Sequence, residues 1–338
     1  NTTQIGTWTS TQFSALTADA IGGLTTSDVA GMSTTQLTGL TTTQLKGVST
    51  TDIGVLNTTQ VGSLLTTQVA ALSTTQLNAL TATQISFFST VQIGVLTTTQ
   101  VKGLSTTFAA SLTTTQVSSL TTTQVKALTT TDVNALSAAQ ISFLTTVQVA
   151  NLTSTQIGAL STTNLAAMTT QQVGALTTTQ IKALDSTDIA ALSTTQLGTW
   201  TSTQFSALTV DAIGGLTTSD VASMSTTQLT GLTTTQLKGL NTTDIAVLNT
   251  TQVGSLLTTQ VAALSTTQLN AFTATEISFL STAQIGVLTT TQVKGLSTTF
   301  VAGLTTTQVS SLTTAQLQAL TTADVIALSA AQISFLTT

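Results

Sequence analysis

Every eighth residue of the chain is apolar, from Trp8 through Leu16, Leu24, Met32 and Leu40 to Leu336, with no insertion or deletion breaking the register. Counting that residue as the first of an octad, the unit reads Leu-[Ser/Thr]-Thr-x-Gln-[Val/Ile/Leu]-x-[Ala/Gly/Ser]. Its two apolar positions are separated alternately by five and by three residues. Such spacing does not hold one face of a helix with about 3.6 residues per turn, and Thr is a poor helix-interior residue, which argues against one continuous helix. The chain must turn at every octad. A short unit repeated in fixed register is the signature of a stacked array rather than of a mixed globular core.

Each octad encodes a helix start. In Leu176-Thr177-Thr178-Thr179-Gln180-Ile181, the Leu stands at N′, Thr177 at the N-cap, Gln180 at N3 and Ile181 at N4. That is a capping box combined with a hydrophobic staple. The Thr oxygen can accept from the N3 amide, and the Gln can reach back to the N-cap amide. The seventh and eighth positions are mostly small or flexible, as in Gly22-Gly23, Lys46-Gly47 and Ala70-Ala71, so the helix is expected to stop after one to one and a half turns. A bend of constant hand at every octad generates a superhelix. The expected fold is an all-α repeat solenoid with one short helix per octad, a narrow Leu/Val/Ile axis and an exterior of Thr, Ser and Gln. The abundance of Thr, Val and Ile makes a β-solenoid the alternative. A lone octad buries too little to fold, so stability should be cooperative along the stack.

A larger duplication overlies the octad. Ile5-Gly6-Thr7-Trp8-Thr9-Ser10-Thr11-Gln12-Phe13 returns as Leu197-Gly198-Thr199-Trp200-Thr201-Ser202-Thr203-Gln204-Phe205, and residues 1–146 recur as 193–338. The phrase Thr-Thr-Thr-Gln-x-Lys begins at Thr41, Thr97, Thr121, Thr177, Thr233 and Thr289, always a whole number of octads apart. Residues 1–338 therefore read as one continuous solenoid, a segment of a longer array grown by duplication in register.

Composition removes several function classes. Only 5% of residues are charged, the six basic residues are all Lys, and a net charge of −5 gives no basic stripe to follow a phosphate backbone. Nucleic acid is not an expected partner. With no Cys and no His, the chain lacks thiol nucleophiles, thiolate or imidazole metal ligands and the usual general base. No catalytic residue, metal or cofactor is expected, and the chain reads as non-enzymatic. Mean hydropathy is +0.41, yet apolar runs such as Ile85-Ser86-Phe87-Phe88 fall far short of the roughly 18 residues of a membrane span.

The exceptions to the octad are few. Asp28, Asp52, Asp132, Asp188, Asp220, Asp244, Asp324 and Glu276 replace the Gln, where a carboxylate can cap the helix and complement its dipole. Lys46, Lys126, Lys182 and Lys238 each precede Asp52, Asp132, Asp188 and Asp244 by six residues and could pair with them. Phe108 and Phe300 also occupy the Gln position, where they break the capping box and are expected to be exposed. Phe87, Phe143, Phe279 and Phe335 fill the usually small eighth position. These six Phe residues are the candidate lateral contacts to a neighbouring chain. Trp8 and Trp200 stand in for the first-position Leu, as core residues.

In its Leu-[Ser/Thr]-Thr-x-Gln-[Val/Ile]-x-[Ala/Gly] units and overall composition, the whole chain resembles the Thr/Gln/Leu-rich octapeptide arrays of large bacterial extracellular or surface proteins, including adhesin-like and filament-forming ones. The resemblance implies export, a fibrous or stalk role and polymerisation, and supplies no catalytic residue. The function expected is that of a structural protein, an extracellular filament, sheath or adhesin stalk, whose partners are other copies of itself, end to end or side by side, and a cell surface or glycans. The alternative is a binding module whose ordered Thr rows recognise ice or a polysaccharide, which requires a flat β face.

Overall fold

The computed structural model describes residues 2–336, with side-chain burial from residue 4 onward. Among the described residues there are 42 α-helices of four to six residues, one per octad, and no strand. The protein is an all-α repeat solenoid, and the β-solenoid alternative is ruled out. Two compact units are present, Asn1–Ala175 and Leu176–Thr338, and the same construction rules operate inside each.

Local chemistry sets the helix starts as the octad spells them. At Thr122–Ala127, the N-cap Thr121 takes extended backbone angles (φ −70°, ψ 157°). Its Oγ1 accepts from the Gln124 N–H at 3.2 Å, while its own N–H donates to Gln124 Oε1 at 2.8 Å. The helix stops after four to six residues, as the octad predicts. No described residue, glycine included, has a positive φ, so the left-handed glycine cap is not used. Instead the first-position residue turns extended, as at Leu128 (φ −57°, ψ 140°), and the next N-cap, Thr129, stays extended (φ −73°, ψ 162°). Two successive extended residues redirect the chain before the following box restarts the helix.

The small residues at the end of each octad serve packing between turns. A Cβ added to Gly39 would lie 2.6 Å from Ser10 Cβ, and one added to Gly231 would lie 2.5 Å from Ser202 Cβ. In both units a helix packs on the one three octads before it: Thr42–Gly47 on Ala18–Gly22 in the first, Thr226–Gly231 on Ser202–Ser206 in the second. The two apolar positions meet at the axis, where Val61, Leu64, Val69 and Leu72 are all buried, as are Val253, Leu256, Val261 and Leu264. Along the stretch lined by Ile21, Leu24, Val29 and Met32 the axis holds no space that would admit a water molecule. Trp200 is buried, with its ring 5.6 Å edge-on from Phe205, and the half-buried Trp8 stands 5.7 Å from Phe13 in the same way.

Candidate functional site

The feature that repeats with chemical precision is the N3 glutamine, and it is not on the exterior. Most of these side chains are buried, Gln60, Gln68 and Gln260 among the most deeply. The reason is that the primary amide has two ends and both are used. Oε1 closes the capping box on its own helix. Nε2 crosses to the preceding turn and donates to backbone carbonyls there, in most octads those of the residues 31 and 28 positions earlier. Gln68 Nε2 bonds the Leu37 and Leu40 carbonyls at 2.9 Å each, and Gln124 Nε2 bonds those of Ile93 and Leu96 at 2.8 Å each. In the second unit Gln260 bonds Leu229 at 3.0 Å and Leu232 at 2.9 Å, and Gln308 bonds Ile277 at 2.8 Å and Leu280 at 2.6 Å. The offset of 28 residues is three and a half octads because the bond joins the fifth position of one octad to the first position of another. The carbonyl 28 residues earlier lies just past the end of its helix, while the one 31 residues earlier also accepts from the N–H three residues on, as Leu37 does from Leu40 at 3.2 Å. One side chain thus satisfies the start of its own helix and the end of another. Even where Leu65 and Leu257 replace the N-cap Thr, Gln68 and Gln260 still accept from the N-cap N–H, both at 2.9 Å.

Acidic residues at N3 keep only half of this arrangement. Asp132 accepts from the Thr129 N–H at 3.1 Å and from the Thr129 hydroxyl at 2.5 Å, but a carboxylate has no N–H to give to the turn below. Glu276, at the place held by Gln84 in the first copy of the duplication, likewise accepts from the Thr273 N–H at 2.7 Å. Gln84 in addition donates to the carbonyls of Leu56 and Gly54. Asp220 recovers a contact between turns by accepting from the Thr194 hydroxyl at 2.6 Å.

The expected pairs of Lys46, Lys126, Lys182 and Lys238 with Asp52, Asp132, Asp188 and Asp244 do not form. The Lys residues are exposed, while the four carboxylates are buried and engaged at their own N-caps. Burial pushes the carboxyls of Asp188 and Asp244 above the usual carboxylate range, against the hydrogen bonds from Asp185 and Asn241 that pull them down, and the Asp185 charge raises Asp188 further. A carboxyl whose folded pKa is raised favours folding in its neutral form. Its contribution is complete below the ordinary value of 3.8 and is lost as pH rises through the raised folded value. Thermal stability, followed by circular dichroism, should therefore rise on acidification through that window more in the native chain than in an Asp188→Asn, Asp244→Asn double variant.

The six candidate contact residues divide. Phe87, Phe143, Phe279 and Phe335 are 53–56% exposed. Phe108 and Phe300 are 1% exposed, which corrects their expected exposure: at N3 the side chain points where Gln points, between turns, and a phenyl ring fills that space with apolar contact. Phe87 and Phe143 lie 56 residues, or seven octads, apart in the chain. Val91 and Val147, also 56 residues apart, are exposed near them in sequence. In the second unit Phe279 and Phe335 repeat the interval. Elsewhere the surface carries open grooves of about 420 and 580 Å³, the larger lined by Thr74, Thr98, Thr99, Lys102, Gly103 and Ala127. Among the described residues no cluster of His, Cys, Asp or Glu could hold a metal ion, and no helix is long and apolar enough to cross a membrane.

Six overlapping or separate stretches, residues 48–82, 127–162, 154–186, 181–218, 239–274 and 261–298, match the family model of the ALTTAQ repeat and together cover more than half of the chain. The chain belongs to the ALTTAQ repeat family. Those six letters run from the small eighth position to N3, as in Ala71-Leu72-Ser73-Thr74-Thr75-Gln76. In this protein each conspicuous letter of the ALTTAQ unit has a physical role. Ala permits close approach between turns, Leu fills the axis, the first Thr caps and Gln clamps. No curated protein matches the chain.

Proposed function

We propose that this protein is a non-enzymatic structural element, an extracellular filament, sheath or adhesin stalk whose length is set by the number of ALTTAQ octads. The observation that supports this reading is the Nε2 bond that recurs from one N3 Gln to the next, in most octads to carbonyls 28 and 31 residues earlier. The same bond recurs from turn to turn, so adding octads lengthens an array without demanding a new kind of contact. Chemistry distributed equally over every octad suits a load-bearing part better than a single catalytic pocket. Low surface charge favours side-by-side association, and the exposed Phe87, Phe143, Phe279 and Phe335 supply apolar contacts for it. A cell-surface location and contact with surface glycans follow as parts of the same proposal. The alternative Thr-face binding module is disfavoured, because the flat β face it requires is replaced by helices.

Electron microscopy of the native material tests the proposal. Filaments or stalks whose axial repeat matches a whole number of solenoid turns are expected, and a dispersed population of isolated single chains at every concentration would sink it. Replacing Phe87, Phe143, Phe279 and Phe335 together by Ser should leave the helical circular-dichroism spectrum unchanged while shifting lateral bundles to single rods. Bundles that persist unchanged would show that these rings are not the contacts.

A further inference from the structure

The Gln clamp is generic. Every octad offers the same pair of carbonyls, so a slip of one octad between turns would exchange one set of Gln bonds for an equivalent set. Three contacts are not generic. The Ser105 N–H donates to Asn78 Oδ1 at 2.8 Å, the Ser161 N–H to Asn134 Oδ1 at 2.9 Å, and the Ser297 N–H to Asn270 Oδ1 at 2.7 Å. Each Ser is the N-cap of an octad whose N3 residue is Phe108, Asn164 or Phe300, none of which closes a capping box. Each Asn lies on the preceding turn, thirty residues before that N3 residue, and Asn occurs at the seventh position of an octad nowhere else in the chain.

The match runs in both directions: all three octads with Phe or Asn at N3 have the Asn, and every seventh-position Asn has such an octad above it. It is not a general need of uncapped N-termini. Ser49 and Thr209, which take neither acceptor, are exposed to water, whereas Ser105, Ser161 and Ser297 are half-buried. Asn78 and Asn270 also donate from Nδ2 to the Gly103 and Gly295 carbonyls, at 2.9 and 3.0 Å, gripping the end of the helix that precedes each of those two N-caps.

We infer that Asn78, Asn134 and Asn270 are register locks that determine which turn of the solenoid a given octad seats against. A slip of one octad would place Lys126 or Ser142 below Ser161 in place of Asn134, Ala70 or Ser86 below Ser105, and Ala262 or Ser278 below Ser297. Lys and Ala side chains offer no acceptor, and Ser is too short to reach as Asn does. Removing Gln from N3 makes the N-cap depend on the turn below, and placing one Asn there leaves a single satisfactory register. The device resembles in logic the lone polar residue that sets register in a coiled coil.

Amide hydrogen exchange of the full chain, read at Ser161, tests the lock directly. Asn134→Ala should accelerate exchange of the Ser161 N–H by roughly fivefold to tenfold, the loss of one hydrogen bond of about 1 kcal/mol. Asn134→Asp keeps the acceptor oxygen and should preserve slow exchange. In an Asn164→Gln background, where the N3 side chain can close its own box, Asn134→Ala should change Ser161 little. Equal acceleration in both backgrounds, or none in the first, would overturn the inference.

Discussion

Replacing Gln172 by Leu is expected to destabilise the array by roughly 2–4 kcal/mol, whereas the same replacement at its neighbour Gln171 should stay within about 0.5 kcal/mol. The two side chains are chemically identical and adjacent, yet Gln172 is 2% exposed and Gln171 faces water. Gln172 Oε1 accepts from the Thr169 N–H at 2.7 Å, and its Nε2 donates to the carbonyls of Ile141 and Leu144 at 2.8 and 2.6 Å. Leu would fill the volume but strand the buried Leu144 carbonyl, at about 1–3 kcal/mol when left unpaired, would take one of two bonds from the Ile141 carbonyl, which keeps the Leu144 N–H at 3.1 Å, and would remove half of the capping box. Local hydrogen exchange in residues 141–152 and 169–175, alongside denaturant unfolding, measures the difference. Equal effects of the two variants would show that the clamp between turns carries no stability.

A methyl group at Gly215 should be nearly as damaging, at about 2–3 kcal/mol or more, while one at Gly94 should be neutral or stabilising by up to about 1 kcal/mol. Neither glycine has a positive φ, so backbone freedom does not distinguish them. Space does. A Cβ on Gly215 would fall on the Ser186 carbonyl, 2.8 Å from its carbon and 2.9 Å from the Ser186 Cα, and a backbone cannot move aside as a flexible side chain can. A Cβ on Gly94 meets nothing within 4 Å. Comparing the melting of Gly215→Ala and Gly94→Ala chains checks the prediction; a harmless Gly215→Ala would mean that turns can separate there at little cost.

The same contrast explains how a near-neutral surface arises from an acidic composition. Of the acidic residues, those at N3 are turned inward onto their caps, leaving Asp19, Asp185 and Asp211 exposed beside six exposed Lys. The outward face is therefore less acidic than the formal charge of −5 suggests. This favours the lateral association proposed for the exposed Phe residues.

The octad register, the helix start at each Ser/Thr, the apolar identity of the axis and the absence of a long helix were all legible in the amino-acid sequence. Each depends on residues no more than eight positions apart, and capping chemistry acts within one turn. What the Gln does with its second nitrogen, why the eighth position is small, and whether a Phe at N3 faces out or in depend on which residues lie 25 to 31 positions away. That distance is set by the superhelical step, which no single octad contains. The coupling of Asn78 to Phe108, Asn134 to Asn164 and Asn270 to Phe300 stood in the sequence as an interval of thirty residues. It became readable only once the folded turns placed each Asn oxygen beneath an N-cap amide that had lost its own partner. The sequence by itself determined the unit and its local hydrogen bonds; the tertiary structure decided how units meet, because a contact between turns is a property of the closed geometry and not of any one repeat.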